Sequence, residues 1–336
     1  MSCMIQPTLN RHPVFRALAG LLLLAALVAG STQAFSDIAG SQARKAIAGS
    51  GRVAIVYPAI GEPYRSVFEQ IISGIESQTG GHTTNFEVGA NADFGELKNS
   101  LRQQGVEVVI ALGSQGVKFA ATLDRDIGVV AGGVIAPAGD ELHDAPVQSL
   151  SPAPALLFGR LKQLMPGARR VFAVYEPRQN GWLIRYAKEA ARAQGLELVA
   201  YEGQDMRSAA AAYQNILSVA DSRRDAIWLL QDSIGAEGGT ILPMVLQEAW
   251  NHNLVVFSSN FGHVRRGALF SLYPDNVGMG RRLAGMALGF LSSGSYEEQG
   301  MIPLREVQAA INLRTAEHLG VRPGKGMEFG MVFPER

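Results

Sequence analysis

The sequence lacks most patterns that indicate catalysis, metal binding or a nucleic-acid partner. Cysteine occurs once, as Cys3, so neither a disulfide within the chain nor a cysteine-ligated metal site is expected. The six histidines are scattered without metal-ligand spacing. No Gly-x-Gly-x-x-Gly follows the first predicted strand, and no Gly-x-Ser-x-Gly elbow occurs. The formal net charge is zero, which favours no nucleic-acid partner. We therefore expect no enzyme, no cofactor and no metal.

The first 34 residues have the pattern of an export signal. Arg11 and Arg16 supply positive charge, an apolar run of 13 residues follows from Ala17 to Ala29, and Thr32–Ala34 offers small residues at a cleavage site. This run is shorter than the roughly 20 residues that a membrane-spanning helix needs. We therefore predict a cleaved signal peptide over residues 1–34 and a periplasmic protein.

Apolar, strand-like runs recur in the same order in the two halves of the remaining chain. A chance likeness explains one matching pair more easily than three pairs in register. Such runs, each followed by a helix-like segment, are typical of parallel strands that helices cover on both faces. The pattern predicts an α/β protein with two Rossmann-like lobes. The matched runs are Val53–Pro58 with Val171–Asn180, Val109–Ser114 with Trp228–Ser233, and Val129–Ala131 with Val255–Phe257.

Ligands of parallel α/β units bind at the carboxyl ends of the strands. We therefore take the residues that follow the predicted strands as candidate ligand-binding residues. Several are aromatic, and their faces are suited to enclose an apolar or cyclic group. The candidates are Tyr57, Pro58, Tyr64, Gly113, Ser114, Gln115, Gly116, Val134, Tyr175, Glu176, Asn180, Trp182, Asp232, Ser233, Ser258 and Tyr273.

Two of these strand ends have opposite electrostatic character. Gly113–Gly116 opens a predicted helix, and the free N–H groups of a helix start attract a carboxylate or phosphate. Asp232, at the equivalent turn of the second unit, would attract an ammonium group. Together they fit a zwitterion such as an amino acid. The alternatives are that Ser114 and Asp232 each cap only their own segment, and that Glu176 is the acid that matters.

Three stretches carry a resemblance to a known family: Val108–Gly116, Gly267–Gly285 and Ile311–Gly320. With the export signal and the two α/β units, the chain resembles the substrate-binding proteins of ABC transporters that include tryptophan and tyrosine binders. The resemblance covers residues 52–320. It implies the type I periplasmic-binding-protein fold, in which the chain crosses between lobes three times and a cleft between the lobes closes on the ligand.

The resemblance also implies the lobe boundaries. The first lobe is expected to hold residues 52–150 and 267–296, so that strand Gly267–Tyr273 joins the sheet of Val53–Tyr57. The second lobe is expected to hold residues 151–262 and 300–322, followed by a tail at 323–336. The proline-rich stretch Pro137–Pro154 is interpreted as a crossing between lobes.

The resulting hypothesis is a monomeric periplasmic solute-binding protein. It would capture a small molecule, an aromatic amino acid being favoured, for an ABC permease in the inner membrane. The alternative keeps the two-lobe fold but not the ligand, as a sensor or structural partner in the cell envelope.

Overall fold

The computed structural model describes residues 52–136, 142, 144–324 and 326–335. The predicted export signal lies outside them. The strands of the described residues are β1 (Val53–Pro58), β2 (Thr83–Val88), β3 (Val108–Leu112), β4 (Gly128–Val134), β5 (Pro146–Pro152), β6 (Arg170–Tyr175), β7 (Glu197–Glu202), β8 (Asp225–Leu229), β9 (Val255–Ser258), β10 (Phe270–Pro274), β11 (Gly300–Leu304), β12 (Val307–Asn312) and β13 (Met331–Phe333). The helices are α1 (Tyr64–Thr79), α2 (Phe94–Gln103), α3 (Gly113–Ala120), α4 (Pro154–Leu164), α5 (Pro177–Ala193), α6 (Met206–Val219), α7 (Ile241–Asn251), α8 (Phe261–Arg265), α9 (Asn276–Ser293) and α10 (Leu313–His318).

The strands form two sheets of similar topology. The first sheet has the order β11-β5-β4-β3-β1-β2, and the second has the order β13-β12-β10-β9-β8-β6-β7. Every pairing of the first sheet is parallel, whereas in the second β12 runs antiparallel to β10. The first five strands of each sheet follow the doubly wound order 2-1-3-4-5. The predicted α/β fold with two Rossmann-like lobes is therefore confirmed.

Alternating side chains of each strand enter different cores, as expected for strands covered on both faces. In β1, Val53 and Ile55 pack in a cluster with residues of α1 and α9, such as Ile71 and Leu283. Ala54 and its alternate neighbours pack instead with residues of α2 and α3. The near-continuous apolar runs of the sequence are thus explained by burial on both sides of the sheet.

Helices α1 and α9 cross at an unusually short distance. A Cβ atom added at Gly280 would lie 2.0 Å from the carbonyl oxygen of Ile71, and one added at Gly74 would lie 2.1 Å from the carbonyl oxygen of Val277. Only glycine fits such a backbone contact. The helix that begins at Asn276 thereby returns to the first sheet, as the family resemblance implies.

The chain passes between the two sheets three times, at Ala153, at Asp275 and between β11 and β12. Two backbone hydrogen bonds join these crossings: the N–H of Ala153 donates to the carbonyl oxygen of Leu304 at 2.7 Å, and that of Asp275 to Glu306 at 2.9 Å. The predicted hinge of three crossings is confirmed. The adjacent backbones of the crossings form a compact connection between the two lobes.

One strand lies in the other sheet from the one predicted. The segment Gly267–Tyr273 was expected beside β1, but its strand β10 pairs with β9 on one side and β12 on the other. That part of the predicted lobe division is wrong. The physical reason is the repeat itself: β5 and β10 are the equivalent fifth strands of the two sheets, and each precedes a crossing.

Two further segments differ from the expectation. Within Pro137–Pro154, residues 146–152 form β5, a buried strand between β4 and β11 rather than an irregular crossing. The polar side chain of Gln148 in this strand is buried, and both ends of its amide are hydrogen-bonded. The amide nitrogen donates to the carbonyl oxygen of Ile302, and the amide oxygen accepts from Arg282. Strand β11 belongs to the first sheet although residues 300–322 were assigned to the second lobe. The tail contributes β13 to the edge of the second sheet.

Candidate functional site

A cavity of about 430 Å³ lies at the carboxyl ends of β1 to β4. Its lining includes five of the residues predicted from the sequence: Pro58, Tyr64, Gly113, Ser114 and Gln115. Among the described residues, the lining contains no charged side chain and is mostly apolar. A concave, largely apolar site with a few polar groups is the usual form of a small-molecule site.

The start of α3 forms the polar part of the cavity. Gly113 has a left-handed φ of 66°, a conformation that glycine adopts without strain. The N-cap residue of α3 is Leu112, which makes no side-chain cap hydrogen bond. Ser114 therefore does not cap its own helix, in contrast to one of the alternatives given above. A Cβ added at Gly116 would lie 2.7 Å from the carbonyl oxygen of Val56, so α3 packs directly on β1. These contacts present the N-terminus of α3 to the cavity.

Other lining residues are not among the sixteen candidate residues. Val67 and Phe68 belong to the apolar face of α1, which packs against the first sheet. Gly133 and Leu150 come from the ends of β4 and β5. The position of Phe68 in the first turns of its helix, close to the strand ends, is the sequence signal that could have identified it. Ile60, Val88 and Ala90 complete the newly identified lining beside Ala59 and Ile71.

Asp232 organises the loops at the carboxyl ends of β6 and β8. Its Oδ1 accepts from the backbone N–H groups of Ile234 and Gly235 at 2.8 and 2.7 Å. Its Oδ2 accepts from the backbone N–H of Glu176 at 2.7 Å and from the side-chain amide of Asn180 at 2.8 Å. An ionised carboxylate has about four acceptor positions, so these four donors saturate it. This geometry corresponds to the alternative in which Asp232 holds its own segment, and it does not fit the predicted ammonium site.

The neighbouring candidates of the second lobe are also engaged within the protein. Glu176 is the N-cap of α5 and accepts from the backbone N–H groups of Arg178 and Gln179. The side-chain oxygen of Gln179 lies 3.2 Å from the N–H of Ser233, which donates to it. Asn180 is fully buried, and its Oδ1 has no hydrogen-bond partner among the described residues.

The remaining candidates are part of the lobe interiors rather than of the cavity. Tyr175 is buried and donates to Glu202 at 3.2 Å; burial, followed by that hydrogen bond, raises the pKa of its phenol. Buried Tyr273 donates to Gln308, and Trp182 donates to the carbonyl oxygen of Gln179. The others lie at strand ends outside the cavity lining: Tyr57, Val134 and Ser258.

Comparison with known proteins identifies the family. The family model described as "ABC transporter substrate binding protein" matches residues 86–325, well over half of the chain. The chain belongs to this family. No sequence of the curated proteins matches it. Within the described part of the chain, no helix combines the length and the apolar character needed to cross a lipid bilayer.

Solved structures share the fold of this ABC substrate-binding protein at low sequence identity. The ligand-free, open structure of a substrate binding protein with adhesive properties from Clostridium difficile has a TM-score of 0.60 and 14% identity, covering 83% of this chain and 98% of that one. A domain from Streptococcus pneumonia in complex with L-Trp has a TM-score of 0.51 and 16% identity, covering 84% and 100%. A conserved domain protein from Vibrio cholerae has a TM-score of 0.50 and 17% identity, covering 83% and 99%.

Proposed function

We propose that the protein is a periplasmic solute-binding protein that captures one small molecule against the first lobe and delivers it to an ABC importer in the inner membrane. The observation that carries this proposal is the cavity of about 430 Å³ at the strand ends, whose described lining residues are uncharged and whose wall includes the start of α3. Membership of the substrate-binding family supports it.

The lining of the cavity supports a solute with an apolar or aromatic body. Tyr64 and Ile60 are exposed large hydrophobic residues at the cavity, with 62% and 40% of their surface accessible. Covering these surfaces with a ligand ring would remove apolar area from water, which contributes roughly 25 cal/mol per Å². A carboxylate on the same ligand would meet the N-terminus of α3, where the helix dipole and free N–H groups favour negative charge.

The predicted partner for a ligand ammonium has lost its support, since Asp232 is saturated by its own loop. We therefore propose aromatic amino acids and the corresponding carboxylates without an amino group as one ligand class. These compounds share an aromatic ring, which suits the apolar cavity, and a carboxylate, which suits the N-terminus of α3. The comparison between them decides whether the amino group contributes to affinity.

The hinge supports the transport mechanism. Two backbone hydrogen bonds join the crossings. In addition, the hydroxyl of Tyr186 in α5 donates to the carbonyl oxygen of Met301 in β11 at 3.2 Å. A helix of the second lobe therefore contacts the edge strand of the first sheet. A solute that binds the closed arrangement more tightly than the open one shifts the population toward closure. The closed form is then the one that the permease recognises.

The first test is native mass spectrometry of freshly purified protein to detect a co-purified small molecule. Calorimetry follows with an aromatic amino acid panel and matched amine-free carboxylates. Saturable binding of one compound in either set supports the proposal. A protein that carries no molecule, binds neither set and is not stabilised by any small solute would instead support the ligand-independent alternative.

Export is tested separately. N-terminal sequencing of the protein from the periplasmic fraction should begin near Phe35, the residue after the proposed cleavage site. Recovery of the intact chain from the cytoplasm alone would contradict the proposed export signal.

A further inference from the structure

A second concave surface lies on the other lobe, far along the chain from the cavity residues. This groove, of about 490 Å³, is formed where α7 ends, where α8 leads into β10 and where α10 begins. Gly267 in its lining stands at the amino end of β10, and β10 runs parallel to β9. The groove is therefore at the opposite end of the second sheet from the loops of Asp232 and Glu176.

The composition of this groove is that of a protein interface. Three exposed arginines, Arg265, Arg266 and Arg314, line the groove together with the half-buried Trp250, and the described residues of the lining include no carboxylate and no lysine. Tryptophan and arginine are the residues most enriched at the energetic centres of protein interfaces, whereas lysine and acidic residues are depleted.

The central tryptophan is held in place before any partner arrives. Its ring stacks on His318 with 3.6 Å between centroids and 7° between planes, and the guanidinium carbon of Arg314 lies 5.6 Å from the ring centroid. The Nε2 of His318 is also 3.1 Å from the carbonyl oxygen of Trp250. A side chain that is already ordered loses little conformational entropy on binding.

A carboxylate of the chain itself already meets one arginine at this rim. Glu335, which follows β13, accepts from the guanidinium of Arg265 at 3.1 Å. Arg266 donates to the carbonyl oxygen of Gly238 at 2.8 Å, and no carboxylate of the described residues forms an ion pair with Arg266 or Arg314. Two guanidinium groups of the groove thus remain available for acidic side chains.

We infer that this groove is a docking surface for an acidic segment of a protein partner, separate from the solute site. Carboxylates of the partner meet Arg266 and Arg314, because guanidinium groups match carboxylate geometry. Apolar side chains of the partner cover Trp250 and the adjacent Leu246 of α7.

The test uses the full chain and a short fluorescein-labelled peptide in which glutamates alternate with alanine and leucine. Fluorescence anisotropy measures its affinity at low and high salt. The double variant Arg266→Ala with Arg314→Ala should weaken binding by about tenfold or more. The matched control is Arg192→Ala with Arg207→Ala, which removes the same charge from exposed positions outside the groove and should change affinity by less than about twofold.

Several results would overturn the inference. One is equal affinity for a peptide with glutamine in place of glutamate, and another is an equal loss of affinity in the control variant. If inorganic phosphate, at a concentration equal to that of the peptide, displaces the peptide completely, the groove is a small-anion site instead. Binding to phosphatidylglycerol vesicles without any binding to the peptide would indicate a membrane surface instead.

Discussion

The side chain of Asp232 bonds to the backbone N–H of Glu176 at 2.7 Å, which joins the loops after β6 and β8. Residues that the sequence suggested as two rival acids for a ligand are therefore partners in one local structure. Since Glu176 in turn caps α5 with its own carboxylate, both acidic residues stabilise the loops at these strand ends.

Replacement of Asp232 should affect stability more than solute binding. In Asp232→Asn one oxygen becomes an amino group that faces donors, and at least one backbone N–H in this partly buried loop loses its acceptor. Leaving such a donor unsatisfied costs about 1–3 kcal/mol. Urea unfolding should show this decrease, while calorimetry with the bound solute should show nearly unchanged affinity. The matched control is Glu237→Gln, because Glu237 is an exposed carboxylate that also accepts from backbone N–H groups. Its free energy of unfolding should decrease by less. A stable Asp232→Asn protein with strongly reduced affinity would restore the ammonium role.

Filling the cavity should prevent solute binding. Ala90 is an exposed residue of the cavity lining, so a tryptophan there should occupy the ligand volume without disturbing the core. We expect Ala90→Trp to lower affinity by at least about a hundredfold, because the ligand must then displace a large side chain. Ala92→Trp adds the same side chain at an exposed position outside the lining and should bind normally. Equal affinity in the two variants would place the solute elsewhere.

The crossing of α1 and α9 predicts opposite effects for two glycines of one helix. Gly280→Ala should lower the free energy of unfolding by about 1–3 kcal/mol or more, because the added methyl group overlaps the carbonyl oxygen of Ile71. Gly285 has no atom within 4 Å of an added Cβ, so Gly285→Ala should be neutral or stabilise by up to about 1 kcal/mol through helix propensity. Denaturant unfolding of both variants measures this difference. Similar values for the two would show that the helices separate easily.

His263 should make stability depend on pH. Burial, and then the charge of Arg266, lower its pKa to about 4, whereas an unfolded histidine has a pKa of about 6.5. Because protonation favours the unfolded state, the contribution of this group is complete above pH about 6.5 and is lost as the pH falls through about 4. The expected loss is on the order of 3 kcal/mol.

The control for this prediction is a histidine that is not buried. His263→Asn keeps a polar atom near Ser258, whose Oγ lies 2.8 Å from Nδ1 of the native imidazole, and it should flatten the pH dependence of unfolding between about pH 7 and pH 4.5. His252→Asn changes an exposed histidine and should leave that dependence as it is. An unaltered slope in His263→Asn would mean that other groups cause the acid sensitivity.

Much of the fold was predictable because its information is local. Apolar runs identify the strands. Asp93 is a residue type typical of a helix N-cap, and in the structure its carboxylate accepts from the N–H groups of Gly95 and Glu96 at the start of α2. The partner sheet of β10 was not predictable in this way. An apolar strand fits either sheet equally well, and only the long-range pairings with β9 and β12 decide between them.

The lining of the candidate cavity was predictable in part, and only in the first lobe. Gly113–Gln115 and Tyr64 line the cavity because a strand end and the helix start beside it are joined by a few residues. The role of Asp232 depended on donors more than fifty residues away, such as the N–H of Glu176. Sequence shows that a carboxylate is present, but whether its lone pairs are free is a property of the folded loops.

The three crossings also determine how the protein can be divided. The first sheet needs α9 and β11 from the last quarter of the chain, and the second needs β10, β12 and β13 from the same quarter. No single cut therefore yields an intact lobe, and a fragment ending at Ser293 should unfold without a cooperative transition in calorimetry. Isolated lobes for biophysical work have to be made by circular permutation or by splicing discontinuous segments.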